Sequence, residues 1–326
     1  MNLPIIHRGK TGVSMAGSVG LPAIINAAGE KTARRFVEFF TATIRNKNTR
    51  IAYAFAVGNF LRWCDQRKLA LDYIDSLAVA TYIESLARTR SAPTVKQHLA
   101  AIRMCFDFLV SGGVLAVNPA WSVRGPKHVV KKGKTPVLTA AQARELLDSI
   151  DTTTIIGLRD RALIGVMVFS FARVGAVVRM NVEDYWQNGK RWWLRLHEKG
   201  GKHHEVPAHH NAEAYLDVYM TAVGIADEFK GPLFRSAVGR TDVLSINRMT
   251  TNDVLRMVKR RAQATGLPRG TCNHTFRATG ITAYLENGGT IEHAQAIAAH
   301  ESPRTTKLYD RTNDELTLDE IERIVI

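Results

Sequence analysis

Acidic residues are in short supply. The 326-residue chain sets 30 Asp and Glu against 44 Lys and Arg, a formal net charge of +14. That imbalance opposes compaction through self-repulsion unless a polyanion offsets it, and the common polyanions are nucleic acid and an anionic membrane surface. Long apolar runs are missing as well. No stretch approaches the roughly 20 residues of a membrane span and no basic amphipathic anchor occurs, so nucleic acid is the expected partner and a membrane is not. Cysteine is sparse. Cys64, Cys105 and Cys272 have no pairing at metal-ligand or redox spacing, which excludes a disulfide framework and suits a reducing, cytoplasmic setting with the thiols as core fillers. A nucleotide-binding P-loop is missing too: GKT occurs at Gly9 and Gly133, but the leading glycine of that motif falls on Pro4 and His128. No internal repeat or low-complexity tract is present, and no cofactor is expected.

Hydrophobic residues make up 45% of the chain, enough at this length for two domains with their own cores. Residues 1–28 are rich in Gly, Ala and Pro, with apolar positions interrupted at Gly17, Gly20 and Pro22. That argues against a signal peptide and for a mobile arm. From 29 to 118 apolar residues recur at three and four spacing through FVEFF, IAYAFAVGNFLRWC, VATYIESLA and VKQHLAAIRMCFDFLV, which predicts a four-helix domain. Thr94 is a plausible cap for the last helix, and Gly112 and Gly113 end it. Arg50, Arg62, Lys96 and Arg103 dot the outer faces, the usual dress of a solvated helix; Arg50, Lys96 and Arg103 are also candidate phosphate contacts.

Residues 119–138 form a linker by composition, with Arg124, Lys127, Lys131, Lys132 and Lys134 and no acid among them. A soluble tether is the plain reading, but an acid-free basic linker in a basic protein suits a path along phosphates. The second domain, 139–326, opens with helical patterns through AAQARELLDSI and LRDRALIGVMVFSFARVGAVVRM. Then RWWLRLH, KGGK and HHEVPA read as strand, glycine turn and strand, and helices return as far as Ile326. The fold class is mostly α, with a small β-hairpin or sheet in a mixed C-terminal domain.

Three short stretches carry chemistry. HHEVPAHH is a weak metal candidate, because His203 and His204 are adjacent on a strand and face opposite sides, without HExxH spacing or cysteine support; a polar hairpin arm explains it. In NHTFRATG, Asn273 can cap a helix whose first turn carries His274, with Arg277 on the same face. A helix start with an imidazole and a guanidinium is a phosphate cradle. In AHESPRTTKLYDR, Ser302 and Pro303 start a short helix that places Tyr309 about two turns along. That segment alone leaves packing, hydrogen bonding and reaction open for the phenol.

In chain order, Arg173 in FARVGAVVRMNVEDY, Lys199 in EKGGK, His274 and Arg277 in HTFR, then His300 and Tyr309 nine positions later, resemble the tyrosine recombinases, or phage integrases. The likeness extends to the helical N-terminal domain, the basic linker and the mixed C-terminal domain. Where the family usually has an acid three positions after its first arginine, this chain has Ala176; the glycine before the His or Trp is Ala299; the His often found after the second arginine is Ala278. None is a catalytic position, but together they leave open how the cradle is buttressed.

The resemblance implies a site-specific DNA recombinase that clamps double-stranded DNA at paired half-sites. It implies four protomers at synapsis, strand exchange through a Holliday junction, and neither metal nor ATP. Tyr309 is the implied nucleophile. A phenol of pKa about 10 is mostly protonated at neutral pH, so it needs a proton acceptor, for which His274 is the candidate. Arg173 and Arg277 brace the non-bridging oxygens, His300 donates to the phosphate, and Lys199 is the candidate general acid, with Lys202 as its rival and otherwise a DNA contact. The segment NDELTLDEIERIVI, from Asn313 to Ile326, is apolar at helical spacing and suits docking on a neighbour or on its own domain. A type IB topoisomerase and a catalytically silent DNA-binding protein are the alternatives; the helical N-terminal domain and HxxR weigh against the first, the intact set of six against the second.

Overall fold

Most of the apolar periods of the sequence become helices, with departures at Ala23–Ala27, at Phe171 and ahead of Thr251. A computed structural model describes residues 21–129, 133–198, 201, 203–239 and 241–310, and the chain divides into two units, Met1–Val129 and Val130–Ile326.

In the first unit, α1 (Ala23–Ala27), α2 (Glu30–Glu38) with a π turn over Phe39–Thr43, α3 (Lys47–Asp65), α4 (Ser76–Ala87) and α5 (Ala92–Ser111) enclose one core. Asn46 starts α3 by accepting from the amides of Asn48 and Thr49 at 3.0 and 3.1 Å, and Asp75 starts α4 through Ala78 at 2.8 Å. Residues 21–28, assigned above to the arm, include α1, whose Ile24 and Ile25 lie in the core. Residues 1–20 lie outside the described residues. α5 begins ahead of Thr94: Ser91 precedes it and Pro93 sits in its first turn, where a missing amide leaves no bond unmade. It ends at Gly112, followed by Gly113 at φ 63. Cys64 and Cys105 are buried in this core, and burial pushes the Cys64 thiol up to about 12.

The second unit opens on a reciprocal cap. Thr139 Oγ1 accepts from the Gln142 amide at 3.1 Å while Gln142 Oε1 accepts from the Thr139 amide at 3.0 Å, which starts α6 (Ala140–Asp148). α7 (Ile155–Phe169) is apolar nearly all round, as a central helix must be. Its one buried acid, Asp160, is 0% exposed and is neutralised by Arg159 at 2.7 Å and Arg261 at 2.8 Å. The continuous helix expected through FSFARVGAVVRM does not form. The chain breaks after Phe169, Phe171 takes φ 53, and only a single turn, α8 (Val174–Val177), follows.

Three antiparallel strands come next, β1 (Tyr185–Asn188), β2 (Arg191–His197) and β3 (His203–Pro207). Leu194 pairs with Val206, and both face the core with Leu196. The expected hairpin is β2 with β3; β1 is an extra edge strand. After α9 (His210–Val223) the chain does not return directly to helices, because β4 (Arg235–Ala237) and β5 (Leu244–Arg248) pair first. The connection between them carries Asp242, whose carboxylate accepts from the Ile155 and Ile156 amides at 3.1 and 3.0 Å and so caps α7.

α10 (Thr251–Ala264), α11 (Asn273–Glu286), α12 (Ile291–Ile297) and α13 (Pro303–Lys307) complete the described chain. α7 packs against α9 and α11. The approach of α11 is very close at Gly280, where a Cβ would come within 2.1 Å of the Val168 carbonyl oxygen, so only glycine lets the helix lie there. Residues 311–326, including the tail expected to dock, lie outside the described residues. No helix among the described residues is long and apolar enough to cross a membrane.

Candidate active site

The HTFR stretch starts α11, but its cap differs from the expected one. Asn273 is already helical, and the residue before it is Cys272, whose amide donates to Thr275 Oγ1 at 3.1 Å. Asn273 Nδ2 instead donates to the Thr251 carbonyl at 3.2 Å and ties α11 to the start of α10. Cys272 is therefore no core filler; it is only half-buried. The shift leaves His274 and Arg277 in the first turn and a half, on one face, as expected.

Among the described residues Arg277 is the largest fully buried side chain, 1% exposed. Its Nη1 donates to the Phe171 carbonyl and its Nη2 to the Ala298 carbonyl at 2.5 Å. Both acceptors belong to corners where the backbone turns left-handed without glycine: Phe171 itself at φ 53, and Ala299 at φ 47 beside Ala298. Each such corner costs on the order of 1–2 kcal/mol, and here the buried guanidinium binds both. Burial, followed by the charge of Arg173, pulls the Arg277 guanidinium down to about 10, still charged at neutral pH. Its Nε has no hydrogen-bond partner among the described residues.

The Ala299 corner also sets His300. The His300 amide reaches the Gln295 carbonyl at 3.1 Å and the Ala299 amide the Ala296 carbonyl at 3.0 Å, the paired bonds that close a helix end around a left-handed residue. The buried His300 ring meets Thr306 through Nδ1 and Oγ1 at 2.9 Å. Burial first, then Arg277, Arg173 and His274, drives its pKa down to about 3.

Ser302 caps α13 as expected, accepting from the Arg304 amide at 3.3 Å with Pro303 in the first position. Tyr309 does not lie along that helix, which ends at Lys307; it sits in the turn just beyond. Several contacts hold it there, Arg277 among its partners. Thr282 Oγ1 on α11 donates to the Tyr309 carbonyl at 2.7 Å. The phenolic oxygen is 2.5 Å from His274 Nε2. The ring lies parallel to that of His300, 9° between planes and 5.6 Å between centroids. Phe171, Ala278, Ile281 and Leu285 pack around it, leaving it 8% exposed. The end of the linker joins this cluster: the Gly133 amide donates to the Leu308 carbonyl at 3.1 Å and the Leu138 amide to Thr279 Oγ1 at 3.0 Å.

Arg173 lies just before α8, and its charge reaches His274, Arg277 and His300, lowering the pKa of each. Its Nη1 pairs with Glu198 Oε2 at 2.7 Å. Five of the six residues singled out from the sequence, Arg173, His274, Arg277, His300 and Tyr309, thus meet in one cluster. Lys199 and Lys202 lie outside the described residues, as do Lys131 and Lys132. Arg124, Lys127, Lys134 and Lys96 are exposed. Arg50 donates through Nε and Nη2 to the Ile44 carbonyl at 3.1 and 2.8 Å, and Arg103 through Nε to the Ala120 carbonyl at 3.0 Å, so both guanidinium groups brace backbone in their own unit.

The histidines of HHEVPAHH do not converge on one point: His204 Nε2 meets the Ile297 carbonyl at 2.9 Å, His203 packs edge-on against His197, and His209 stacks on Phe169 and on His210. Thr282, Thr306 and Glu198 are site residues that sequence reading missed. The two threonines have no signal in the sequence beyond helix spacing, but Glu198 has one: with Ala176 in place of an acid, Arg173 lacks a nearby counter-ion in the sequence, and Glu198 of EKGGK is an acid available to supply it.

The sequence profile described as the phage integrase family matches residues 136–315, and the profile of the phage integrase N-terminal SAM-like domain matches residues 34–113. The chain is 28% identical over 241 residues to tyrosine recombinase XerC of Chlamydia pneumoniae, covering 73% of this chain and 74% of that protein. It is 26% identical over 271 residues to tyrosine recombinase XerD of Listeria innocua, covering 80% and 87%. Its fold is similar to that of XerH recombinase bound to its difH substrate, with TM-score 0.64 and 18% identity over 94% of this chain and 84% of that one. It is similar also to a lambda integrase tetramer bound to a Holliday junction, with TM-score 0.63 and 18% identity over 87% and 78%. Since the integrase profile spans more than half of the residues and takes in the whole cluster around Tyr309, the chain belongs to the phage integrase family, the tyrosine recombinases.

Proposed function

We propose that this tyrosine recombinase breaks and rejoins double-stranded DNA at paired half-sites through a 3′-phosphotyrosyl link to Tyr309. The observation that carries the reading is the 2.5 Å contact between the Tyr309 phenol and His274 Nε2, beside two arginines. Burial, then Arg277 and Arg173, lower the pKa of His274, so at neutral pH the imidazole is uncharged and Nε2 can accept the phenolic proton as the oxygen attacks phosphorus.

Arg277 and Arg173 meet the negative charge that grows on the non-bridging oxygens. The unpartnered Nε of a buried Arg277 is a donor suited to such an oxygen, and an arginine so placed is worth on the order of a thousandfold in phosphoryl transfer. His300 is also uncharged at neutral pH. With the Thr306 hydroxyl donating to Nδ1, its proton sits on Nε2, where it serves the phosphate as a donor. Lys199, with Lys202 as rival, protonates the departing 5′ oxygen. The freed 5′ hydroxyl then attacks the tyrosyl phosphate of a partner strand, so the energy of the broken bond is kept and no nucleotide is needed. Two such exchanges within a synapsed homotetramer make and resolve a Holliday junction, and the basic segment with Arg124, Lys127, Lys131, Lys132 and Lys134 follows the phosphates. The positive charge comes from side chains, so a metal ion has no required place.

The test uses half-sites sought in the DNA flanking the gene, nicked so that the cut fragment diffuses away. The wild type accumulates a protein–DNA adduct in EDTA, and peptide mapping puts it on LYDR. Tyr309→Phe binds the same site and forms none. A metal-dependent cut without adduct sinks the reading in favour of a hydrolytic nuclease; an adduct at Tyr284 keeps the chemistry and moves the nucleophile.

A further inference from the structure

The Arg173 guanidinium is 40% exposed as a side chain, whereas its ion-pair partner Glu198 is 6% exposed. An arginine that must meet a phosphate needs freedom on one side and a fixed anchor on the other. A buried carboxylate bonded to one nitrogen leaves further N–H donors of the fork for a ligand and sets their direction. Nothing nearer in sequence supplies that anchor: the residue one helical turn on is Ala176, 1% exposed and in the hydrophobic core.

Glu198 is itself held. It follows the last residue of β2, His197, whose carbonyl accepts from Arg179 Nε at 3.1 Å and whose Nε2 meets Asp184 Oδ2 at 2.7 Å. Asp184 is 2% exposed and its Oδ2 also takes the Asn181 amide at 2.8 Å. The strand end is thus pinned on both sides immediately before the carboxylate, and the pinning passes through Glu198 to Arg173. A surface ion pair would contribute little. This one has a buried acid just past the end of a pinned strand, the condition under which a charge pair directs geometry.

We propose that Glu198 is a positioning residue for strand cleavage. It orients Arg173 toward the scissile phosphate from the β2 end, a task its sequence neighbours leave unfilled, and it touches neither DNA nor the tyrosine. The proposal rests on the phosphate-bracing role of Arg173 given above.

Adduct formation at saturating DNA tests it, using a site whose 5′ bridging oxygen is sulfur, so that protonation of the leaving group plays no part. Glu198→Ala should slow the wild type by about tenfold or more, the scale of one well-placed interaction in a transition state, while the affinity for the site stays within about twofold. In an Arg173→Ala background the same substitution should cause no further loss, because its target is gone. Glu198→Gln, which keeps the shape and loses the charge, should fall between wild type and Glu198→Ala, and it carries the same comparison should the alanine variant unfold. Equal slowing in both backgrounds would show that Glu198 merely supports the strand and would overturn the proposal. A loss seen only with ordinary oxygen-bridged DNA would overturn it too, by assigning Glu198 to the leaving-group step. If the wild type forms no adduct at all, the role of Tyr309 fails and this inference falls with it; an adduct in the wild type with additive Glu198 and Arg173 losses fails this inference alone.

Discussion

Tyr309 and His274 come together from opposite ends of the site: the phenol from the turn after α13, the imidazole from the first turn of α11, 2.5 Å apart. Burial and two nearby arginines hold His274 below its ordinary value of 6.5. The pH profile of cleavage should show it. The second-order rate of adduct formation reports groups of the free enzyme, and it should stay level as pH falls through 6.5, declining only further into acid as His274 takes a proton and can no longer accept one. A decline centred at or above 6.5 would remove His274 as the acceptor.

His300 makes a matching prediction for stability. Its pKa is about 3 in the folded chain against an ordinary 6.5, so between those values the unfolded chain binds a proton that the folded chain refuses. The stabilisation is intact above pH 6.5 and drains as pH falls toward 3, by up to about 1.4 kcal/mol per pH unit. Urea midpoints followed from pH 7 to 5 should therefore drop in the wild type. His300→Phe loses the Thr306 hydrogen bond and should start lower but change less. Parallel curves for the two proteins would refute the assignment.

Ala299 sits at φ 47, where an alanine costs about 1–2 kcal/mol and glycine almost nothing. Glycine is also freer in the unfolded chain, which returns about 0.5–1 kcal/mol of the gain. Ala299→Gly should therefore stabilise by about 0.5–1 kcal/mol, seen as a rise in the thermal midpoint with the rate of adduct formation unchanged within about twofold. A fall in the midpoint would mean that the corner carries no strain in solution.

DNA binding should weaken steeply with salt, the slope growing by about 0.9 for each phosphate neutralised. Arg124, Lys127 and Lys134 are exposed along the basic segment. Replacing all three with Ala should flatten the log–log slope by about 2–3 if each meets a phosphate, and Lys131→Ala with Lys132→Ala should add to it. A slope that does not move takes the segment out of the interface.

The parts of this molecule legible in sequence are those with a local signal. The helices α2 to α5 follow from apolar spacing, and Gly112 with Gly113 and Ser302 mark ends, because a left-handed turn suits glycine and a cap suits serine. The order Arg173, His274, Arg277, His300, Tyr309 was readable as a family pattern. The illegible parts depend on distant partners. The break at Phe171 lies inside an apolar run that periodicity extends through, and the carbonyl at the corner is bound by Arg277, 106 residues away in the chain. β4 and β5 have too few residues to show alternation. Tyr309 reads as helical from Ser302 onward, but its carbonyl is drawn to Thr282. Glu198 beside a glycine turn has one faint signal, the missing acid at Ala176, and its pairing with Arg173 is visible only in the fold.

α11 carries His274, Arg277, Gly280 and Thr282, which respectively meet the phenol, two left-handed corners, the end of α7 and the carbonyl of the tyrosine. One rigid rod thus gauges the whole cluster, at about 1.5 Å and 100° per residue. Substitutions along it can be graded by the contact they touch, but an inserted or deleted residue between His274 and Thr282 cannot: it turns everything beyond it by more than a quarter circle. Length variation among descendants of this chain should therefore be absent from that stretch, even where its residues drift, and should collect in loops that serve no such gauge, such as the connection between β1 and β2.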